Sequence, residues 1–341
     1  MSGAERYRAA GVDLAAAAAA QERMTAAVQS TRTRLARGLV GGFGGMLRLP
    51  DDVRDPVLVM STDGVGTKVL VAIRAGRHDT VGEDLVNHCV NDILVHGARP
   101  IAFLDYIALA EMDADTVAAL VEGVARGCRA HEMTLVGGET AQLPDLYHAG
   151  HYDLAGTIVG VVEESAALHG DRVRVGDVLV AYAANGLHTN GYTLARRILF
   201  GDLGLDVSSE IPELGATVAD ALLAVHQSYA AALFPVLHQV HALAHVTGGG
   251  IPGNLTRSLP SGCGAVVAGG SWTVPPLCQY LARAGGIDRD EMFRVFNMGV
   301  GMIAVADPAS VAGVQASAAS AGIDTWVAGE IVSGEGVVIE A

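Results

Sequence analysis

The sequence predicts an α+β fold made of two mixed α/β domains, residues 1–168 and 169–341. Three observations predict it. The chain has 341 residues, about two domains at roughly 150 residues each. Stretches of strand length alternate with stretches of helical apolar period, and each half also holds strand pairs, so mixed sheets with packed helices are expected. The polar, turn-like run His169-Gly170-Asp171-Arg172 then separates the halves before a fresh strand at Val178.

In the first half, the run Leu14 to Ala20 followed by Gln21-Glu22-Arg23 is helix-favouring and predicts a helix over 14–29. Gly38 to Gly45 reads as a glycine-rich, mobile loop. Pro56 to Met60 is a short apolar strand that feeds directly into Ser61-Thr62-Asp63-Gly64-Val65-Gly66-Thr67-Lys68. Val86, Cys89, Val90, Ile93 and Leu94 recur at helical spacing and predict a helix over 79–96. Ile101 to Ile107 is a strand, and Asp113 caps a helix running to Arg129. Thr134 to Val136 is a strand ending at Gly137-Gly138-Glu139-Thr140, and Asp153 to Val162 is another.

In the second half, Val178 to Ala183 is a strand, followed by the polar loop 185–192 and a helix to Phe200. A long helical stretch starts at Ala216 and is kinked or ended near Pro235. The loop Thr247-Gly248-Gly249-Gly250 comes next. Asn297 to Met302 precedes a strand, and a last helix lies near 308–321. No repeat of 20–50 residues is visible.

Composition narrows the function. Hydrophobic residues are 50% and charged residues 17%, enough apolar content for a large core rather than a disordered chain. Glycine is 43 of 341, well above the usual ~7%, with no Gly-X-Y period. The net charge of −15 argues against a nucleic-acid partner, which normally demands a basic face. A small phosphorylated ligand remains compatible, provided that local cations or a metal receive it. No run of 18 apolar residues predicts a membrane span, and the start lacks a signal-peptide pattern, so a cytoplasmic location is expected. Cys89, Cys128, Cys263 and Cys278 are widely spaced without CxxC, which reads as free thiols in a reducing compartment.

One basic residue stands apart. Of the 22 basic residues only Lys68 is lysine. It sits in the sharpest glycine–acid motif of the chain. Arginine is a wide planar fork and lysine a compact charge, so a lysine retained there points to a narrow site for one anion; chance survival is the alternative.

Five constellations can carry chemistry. In Asp63-Gly64-Val65-Gly66-Thr67-Lys68, the glycines let backbone N–H groups approach phosphate oxygens, Lys68 supplies charge, and Asp63 can hold magnesium. An ordinary glycine-rich turn is the competing reading. In Asn87-His88-Cys89-Val90-Asn91-Asp92, Asn91 shares a helix face with Asn87 and Asp92 with His88. Those polar groups on an apolar helix need partners, either a metal or internal hydrogen bonds. Asp63, Asp92 and Glu139 fall at element ends, and oxygen ligands of this kind suit Mg²⁺. His-Cys zinc spacing is absent from the sequence. In Asn185-Gly186-Leu187-His188-Thr189-Asn190-Gly191, His188 is a proton donor or phosphate ligand, or else a capping group. Thr247 to Gly250 either cradles phosphate or is a plain turn. Most of the 12 histidines read as unremarkable.

Together these segments resemble the phosphoribosylformylglycinamidine cyclo-ligase (aminoimidazole ribonucleotide synthetase) family. The resemblance runs nearly the full length, from Tyr7 and Ala10-Gly11-Val12-Asp13 through Gly41-Gly42-Phe43-Gly44-Gly45, the Asp63–Lys68 motif and Val90-Asn91-Asp92. It continues through Gly97-Ala98-Arg99-Pro100, Phe103-Leu104-Asp105-Tyr106, Gly137 to Ala141, Gly186 to Tyr192, Thr247 to Gly250 and Phe296 to Met302. It implies an aminoimidazole ribonucleotide synthetase-like fold, with a nucleotide-binding N-terminal domain whose sheet forms a barrel across a homodimer. It implies that ATP activates the formyl oxygen of formylglycinamidine ribonucleotide, and that ring closure gives 5-aminoimidazole ribonucleotide, ADP and phosphate. Mg²⁺ is needed, and the partners are small molecules.

By the family pattern, Lys68, Asp63 and His188 are catalytic, and Asp63, Asp92 and Glu139 hold the metal. Gly64, Gly66, Thr67, Gly137, Gly138 and Thr140 bind nucleotide and phosphate; Asn185, Asn190, Gly248, Gly249 and Gly250 face the substrate. The chain departs from the pattern at Thr25, Gln29 and Arg32, where relatives often carry lysine, at Gln142-Leu143-Pro144, and at Val225-His226-Gln227-Ser228-Tyr229. A superfamily small-molecule kinase of thiamine-phosphate or selenophosphate type, and a non-catalytic nucleotide-binding protein, are the alternatives.

Overall fold

A computed structural model of the chain describes residues 9, 11–38 and 42–340. Tyr7, Ala10 and the 39–41 portion of the glycine-rich loop lie outside the described residues. The alanine-rich segment forms helix α1, Leu14–Ser30, and Asp13 caps it by accepting from the N–H groups of Ala15 and Ala16.

The first large sheet has four strands: β1 (Pro56–Gly64), β2 (Arg99–Leu109), β3 (Thr134–Gln142) and β4 (Tyr152–Glu163). Their order is β1-β4-β2-β3. β4 runs antiparallel to both β1 and β2, whereas β2 and β3 are parallel. Helices α2 (Lys68–Ala75), α3 (Asp79–Leu94) and α4 (Ala114–Ala130) complete this half. α3 lies on β1, β2 and β4, and α4 lies on α3. The helix pair approaches closely because Gly123 has no side chain; a Cβ there would stand 2.1 Å from the Asp79 carbonyl oxygen. Along β1, exposure alternates: Leu58, Met60 and Thr62 face outward while Val57, Val59 and Ser61 turn toward the helices. The same period of two turns Asp63 inward.

The second large sheet has six strands: β5 (Val178–Ala183), β6 (Val240–His245), β7 (Cys263–Ala268), β8 (Val300–Ala306), β9 (Thr325–Ser333) and β10 (Val337–Glu340). The order is β6-β8-β5-β9-β7-β10, antiparallel except for the β7–β10 pair. Every residue of β8 is buried, as its unbroken apolar run requires. Short helices α5 (Tyr192–Arg196), α6 (Val218–Leu222), α7 (Ala230–Leu233) and α8 (Gly250–Leu255) precede longer ones at Pro276–Gly285 and Val311–Ser320. The mixed sheets and packed helices match the expected α+β class.

Two expectations fail. The helical stretch from Ala216 is broken over 223–229, where neither α6 nor α7 reaches. Its backbone groups are engaged elsewhere. The Ala224 carbonyl accepts from Lys68, the His226 N–H donates to Asp84, and the Tyr229 N–H donates to Asn91. A helix needs those same groups for its own ladder. Gly137-Gly138-Glu139-Thr140 likewise does not end a strand. It lies within β3, paired in register with Leu104 to Ile107 of β2.

Candidate functional site

The site begins as a polar stripe on an otherwise apolar helix. Asp84, Asn87, His88 and Asn91 of α3 follow one another at helical spacing, and all four are buried. Each meets a partner brought by tertiary folding. Asn87 Nδ2 donates to the His226 carbonyl at 2.9 Å. Asn91 Nδ2 donates to the Gln227 carbonyl at 2.8 Å while its Oδ1 accepts from Tyr229 N–H at 3.0 Å. The non-helical segment 223–229 is therefore laid along α3 by side-chain hydrogen bonds.

Asp63 and Asp92 meet at one end of this stripe. His88 Nε2 lies 2.7 Å from Asp63 Oδ2 and 3.7 Å from Asp92 Oδ2. Asp92 also accepts from Ser61 Oγ at 3.2 Å, and its Oδ1 is 2.9 Å from His245 Nδ1. Burial pushes both carboxyls up, but His88 beside Asp63 and His245 beside Asp92 outweigh it and hold each below the ordinary carboxylate value. Burial pushes His88 down, and the carboxylates of Asp63 and Asp92 more than reverse it, holding it above the ordinary histidine value. Both carboxylates line a cavity of about 390 Å³ between the halves, with Ser61, His245, Thr247, Asn254 and Arg257.

Behind the carboxylates lies a cluster of four buried histidines. His188 stacks on His226 with ring centroids 4.0 Å apart; His88 stands edge-on at 5.2 Å from His226 and His245 is tilted against it at 5.3 Å. His188 adopts φ +60, and the space for its ring exists because residue 301 is glycine; a Cβ there would lie 2.5 Å from its Cε1. Burial drives His188 and His226 well below the ordinary histidine value.

Lys68 is a correction. It does not point toward an open phosphate site: it is fully buried. Its Nζ donates to Asp84 at 2.8 Å, to the His188 carbonyl at 3.1 Å and to the Ala224 carbonyl at 2.7 Å. Burial lowers the lysine and raises Asp84, while mutual attraction opposes both shifts. The three acceptors around one nitrogen match the three donors of an ammonium. The sole lysine is an interior fastener between α3 and two loops of the second half.

Glu139 is the second correction. The register row runs Gly64–Ala155–Tyr106–Glu139 across the first sheet. It thus stands three strand spacings, roughly 14 Å, from the Asp63 region and shares no ion with Asp63 and Asp92 of the same chain. Gly137, Gly138 and Thr140 lie on the same edge strand.

The remaining expected residues do not all gather at the carboxylates. Gly64 N–H is already held by Asp63 Oδ1 at 2.7 Å, and Gly66 turns the chain at φ +56. Thr67 Oγ1 lies 3.1 Å from Thr193 Oγ1. Asn185 donates to the Val225 carbonyl and lines a second cavity of about 560 Å³. Asn190 is next to Gly248, and its Nδ2 is buried without a partner among the described residues. Gly249 and Gly250 take positive φ, and Asn254 Nδ2 donates to the Thr247, Gly248 and Gly250 carbonyls, which fixes that loop. The sequence assigned no site role to Asp84, His245 and Arg257, and marked His226 only as part of a departure from the family pattern. Asp84 was detectable, four residues before His88 on the polar stripe; the others come from distant segments with no local period.

Comparison with known proteins defines the class. Residues 44–162 match the family model "AIR synthase related protein, N-terminal domain", and residues 174–341 match "AIR synthase related protein, C-terminal domain". Among solved structures, a thiamine-monophosphate kinase from Stenotrophomonas maltophilia K279a superposes with TM-score 0.71 at 20% identity, covering 94% of this chain and 96% of that one. The hydrogenase maturation protein HypE of E. coli superposes with TM-score 0.65 at 17% identity, covering 94% of each chain. Those likenesses establish the fold, a two-part AIR synthase-related architecture. Closer relatives narrow it further. A phosphoribosylformylglycinamidine cyclo-ligase of Sorangium cellulosum (strain So ce56) is 47% identical over 96% of this chain and 95% of its own length. That of Desulfatibacillum aliphaticivorans is 43% identical over 96% and 95%. The chain belongs to the phosphoribosylformylglycinamidine cyclo-ligase family.

Proposed function

We infer that this chain is an ATP-dependent ligase that closes the imidazole ring of 5-aminoimidazole ribonucleotide from formylglycinamidine ribonucleotide, with release of ADP and phosphate, in purine biosynthesis. The observation that carries it is the convergence of Asp63 and Asp92 on one cavity between the halves, in a chain 43–47% identical to cyclo-ligases across nearly its whole length. ATP phosphorylates the formyl oxygen; the ring-closing nitrogen attacks that carbon, and the oxygen departs with phosphate. Such chemistry depends on positioning and charge neutralisation rather than on a covalent protein intermediate.

The donor set fits magnesium: two carboxylates with an open side, held by hydrogen bonds from behind. Asp63 and Asp92 are the residues that hold the ion, which supplies charge neutralisation for the phosphates when bound. His88 and His245 orient the two carboxylates. Arg257, on the same cavity wall, is the cation placed for an anionic substrate group in the role expected of Lys68. Asn190 and the Gly248–Gly250 loop face the substrate, and His188, stacked on His226, lies in the buried cluster behind the carboxylates.

The reading extends to architecture. Residues 1–168 form a nucleotide-binding and dimerisation domain and residues 169–341 the second domain, in a cytoplasmic homodimer. The first sheet presents Leu58 at 45% and Met60 at 62% exposure on its outer face, apolar surface of the kind that a subunit covers. Gly137, Gly138, Glu139 and Thr140 cannot reach the carboxylates of their own chain, which is a second reason to propose that two copies build the nucleotide site together.

The test is ADP release with each of three substrates. ADP and 5-aminoimidazole ribonucleotide are expected with formylglycinamidine ribonucleotide, and no ADP with thiamine phosphate or selenide. Asp92→Asn is expected to lower turnover by roughly 10²-fold, and chelation of Mg²⁺ to abolish it. ADP formed with thiamine phosphate instead would overturn the assignment in favour of a kinase.

A further inference from the structure

The histidine cluster behind the carboxylates carries an inference that the ring-closure reaction does not require. Its key is the orientation of two facing nitrogens. His226 Nε2 and His245 Nε2 are 3.2 Å apart. His245 Nδ1 is 2.9 Å from the Asp92 carboxylate, which accepts only, so the hydrogen of the neutral ring sits on Nδ1 and Nε2 carries a lone pair. The amide of Asn91 is fixed by two backbone contacts, Oδ1 to the Tyr229 N–H and Nδ2 to the Gln227 carbonyl. That orientation also directs Nδ2 at His226 Nε2, 3.1 Å away, so His226 Nε2 is an acceptor as well. His226 Nε2 has one lone pair, held here by Asn91 Nδ2, and no hydrogen lies on the 3.2 Å line to His245 Nε2; a cation that takes that lone pair in place of the amide relieves the contact.

A third ligand stands beside the pair. His188 is 1% exposed, and neither of its ring nitrogens has a hydrogen-bond partner among the described residues. Nitrogens of His188, His226 and His245 all lie within 4.8 Å of one another. Two imidazoles on one tetrahedral zinc ion, with Zn–N of about 2.0–2.1 Å, stand roughly 3.3 Å apart, close to the observed pair. The Asp92–His245 contact is the carboxylate–histidine arrangement that fixes the tautomer of a metal-bound imidazole. His188 completes the set when its ring turns out of the stack on His226, and a fourth position is left for water.

We propose that His188, His226 and His245 form a binding site for a borderline-soft divalent cation of the zinc class, separate from the oxygen-donor magnesium site of Asp63 and Asp92. Imidazole nitrogens select such ions over magnesium. The ion lies between the facing nitrogens of His226 and His245 and, through His245, holds the Asp92 carboxylate in place.

Tag-free protein stripped with chelator is titrated with Zn²⁺ and, separately, with Co²⁺. One saturable equivalent per chain is expected, with a Co²⁺ visible spectrum of low-coordinate nitrogen ligation. His226→Asn and His245→Asn are expected to lose that equivalent, whereas Asp63→Asn and Glu139→Gln keep it. Zinc-edge X-ray absorption on the wild type is expected to show imidazole scatterers at about 2.0–2.1 Å. Absence of saturable uptake would mean that a proton alone bridges the nitrogens, and would overturn the site. So would uptake that survives His226→Asn, or a zinc edge with oxygen scatterers only. The X-ray absorption measurement decides the matter even if the histidine variants fail to fold.

Discussion

At the scale of single residues, Lys68 shows how a correct observation acquires a different cause. Its isolation among 21 arginines marked it, and the structure explains why arginine does not replace it. A fully enclosed pocket with three acceptors around one point fits a compact ammonium and not a planar fork. Lys68→Met leaves Asp84 charged and unpaired, and is expected to cost about 3–5 kcal/mol in urea denaturation. The double variant Lys68→Met with Asp84→Leu is expected to recover much of that loss. A Lys68→Met protein of unchanged stability would return the residue to a ligand-binding role. His131 offers a pH-dependent counterpart. Burial pushes it down to about 4, below the unfolded value near 6.5. As pH falls from 6.5 toward 4 the unfolded chain takes up a proton that the native ring refuses, so stability declines in that window, by at most on the order of 3 kcal/mol. His131→Gln is expected to flatten that part of the stability curve, read by denaturation at pH 7 and pH 4.5.

At the scale of elements, the sequence makes regular pieces legible and hides the irregular one that builds the site. α1, α3, α4 and the strands of both sheets follow from caps and apolar periods, because those signals are local. The break at 223–229 is not legible, since its cause lies on α3, over 130 residues away. The carboxylates at 63 and 92 were readable from their motifs; the histidines at 226 and 245 were not, because only folding brings them together. Asn91→Ala is expected to destabilise by about 1–3 kcal/mol, since it orphans the Tyr229 N–H and the Gln227 carbonyl. Hydrogen exchange is expected to quicken across 223–229 first, and uniform quickening throughout the chain would contradict this local role. Gly123→Ala is expected to cost about 1–3 kcal/mol by pushing α4 off α3.

At the scale of the whole molecule, two halves with separate sheets share one chemical centre. Asp63, His88 and Asp92 come from the first, and His245, Thr247 and Arg257 from the second. The proposed homodimer is tested on the outer face of the first sheet. Leu58→Asp with Met60→Asp is expected to convert a dimer to a monomer in sedimentation velocity, and a monomeric wild type would remove that proposal. The Lys68 ammonium is anchored on one half by Asp84 and on the other by two carbonyls. Prying the lobes apart about a hinge would break both carbonyl contacts and strip the buried Lys68–Asp84 pair of its second-half partners. Reactants must therefore enter from the flank of the crevice while its floor stays sealed.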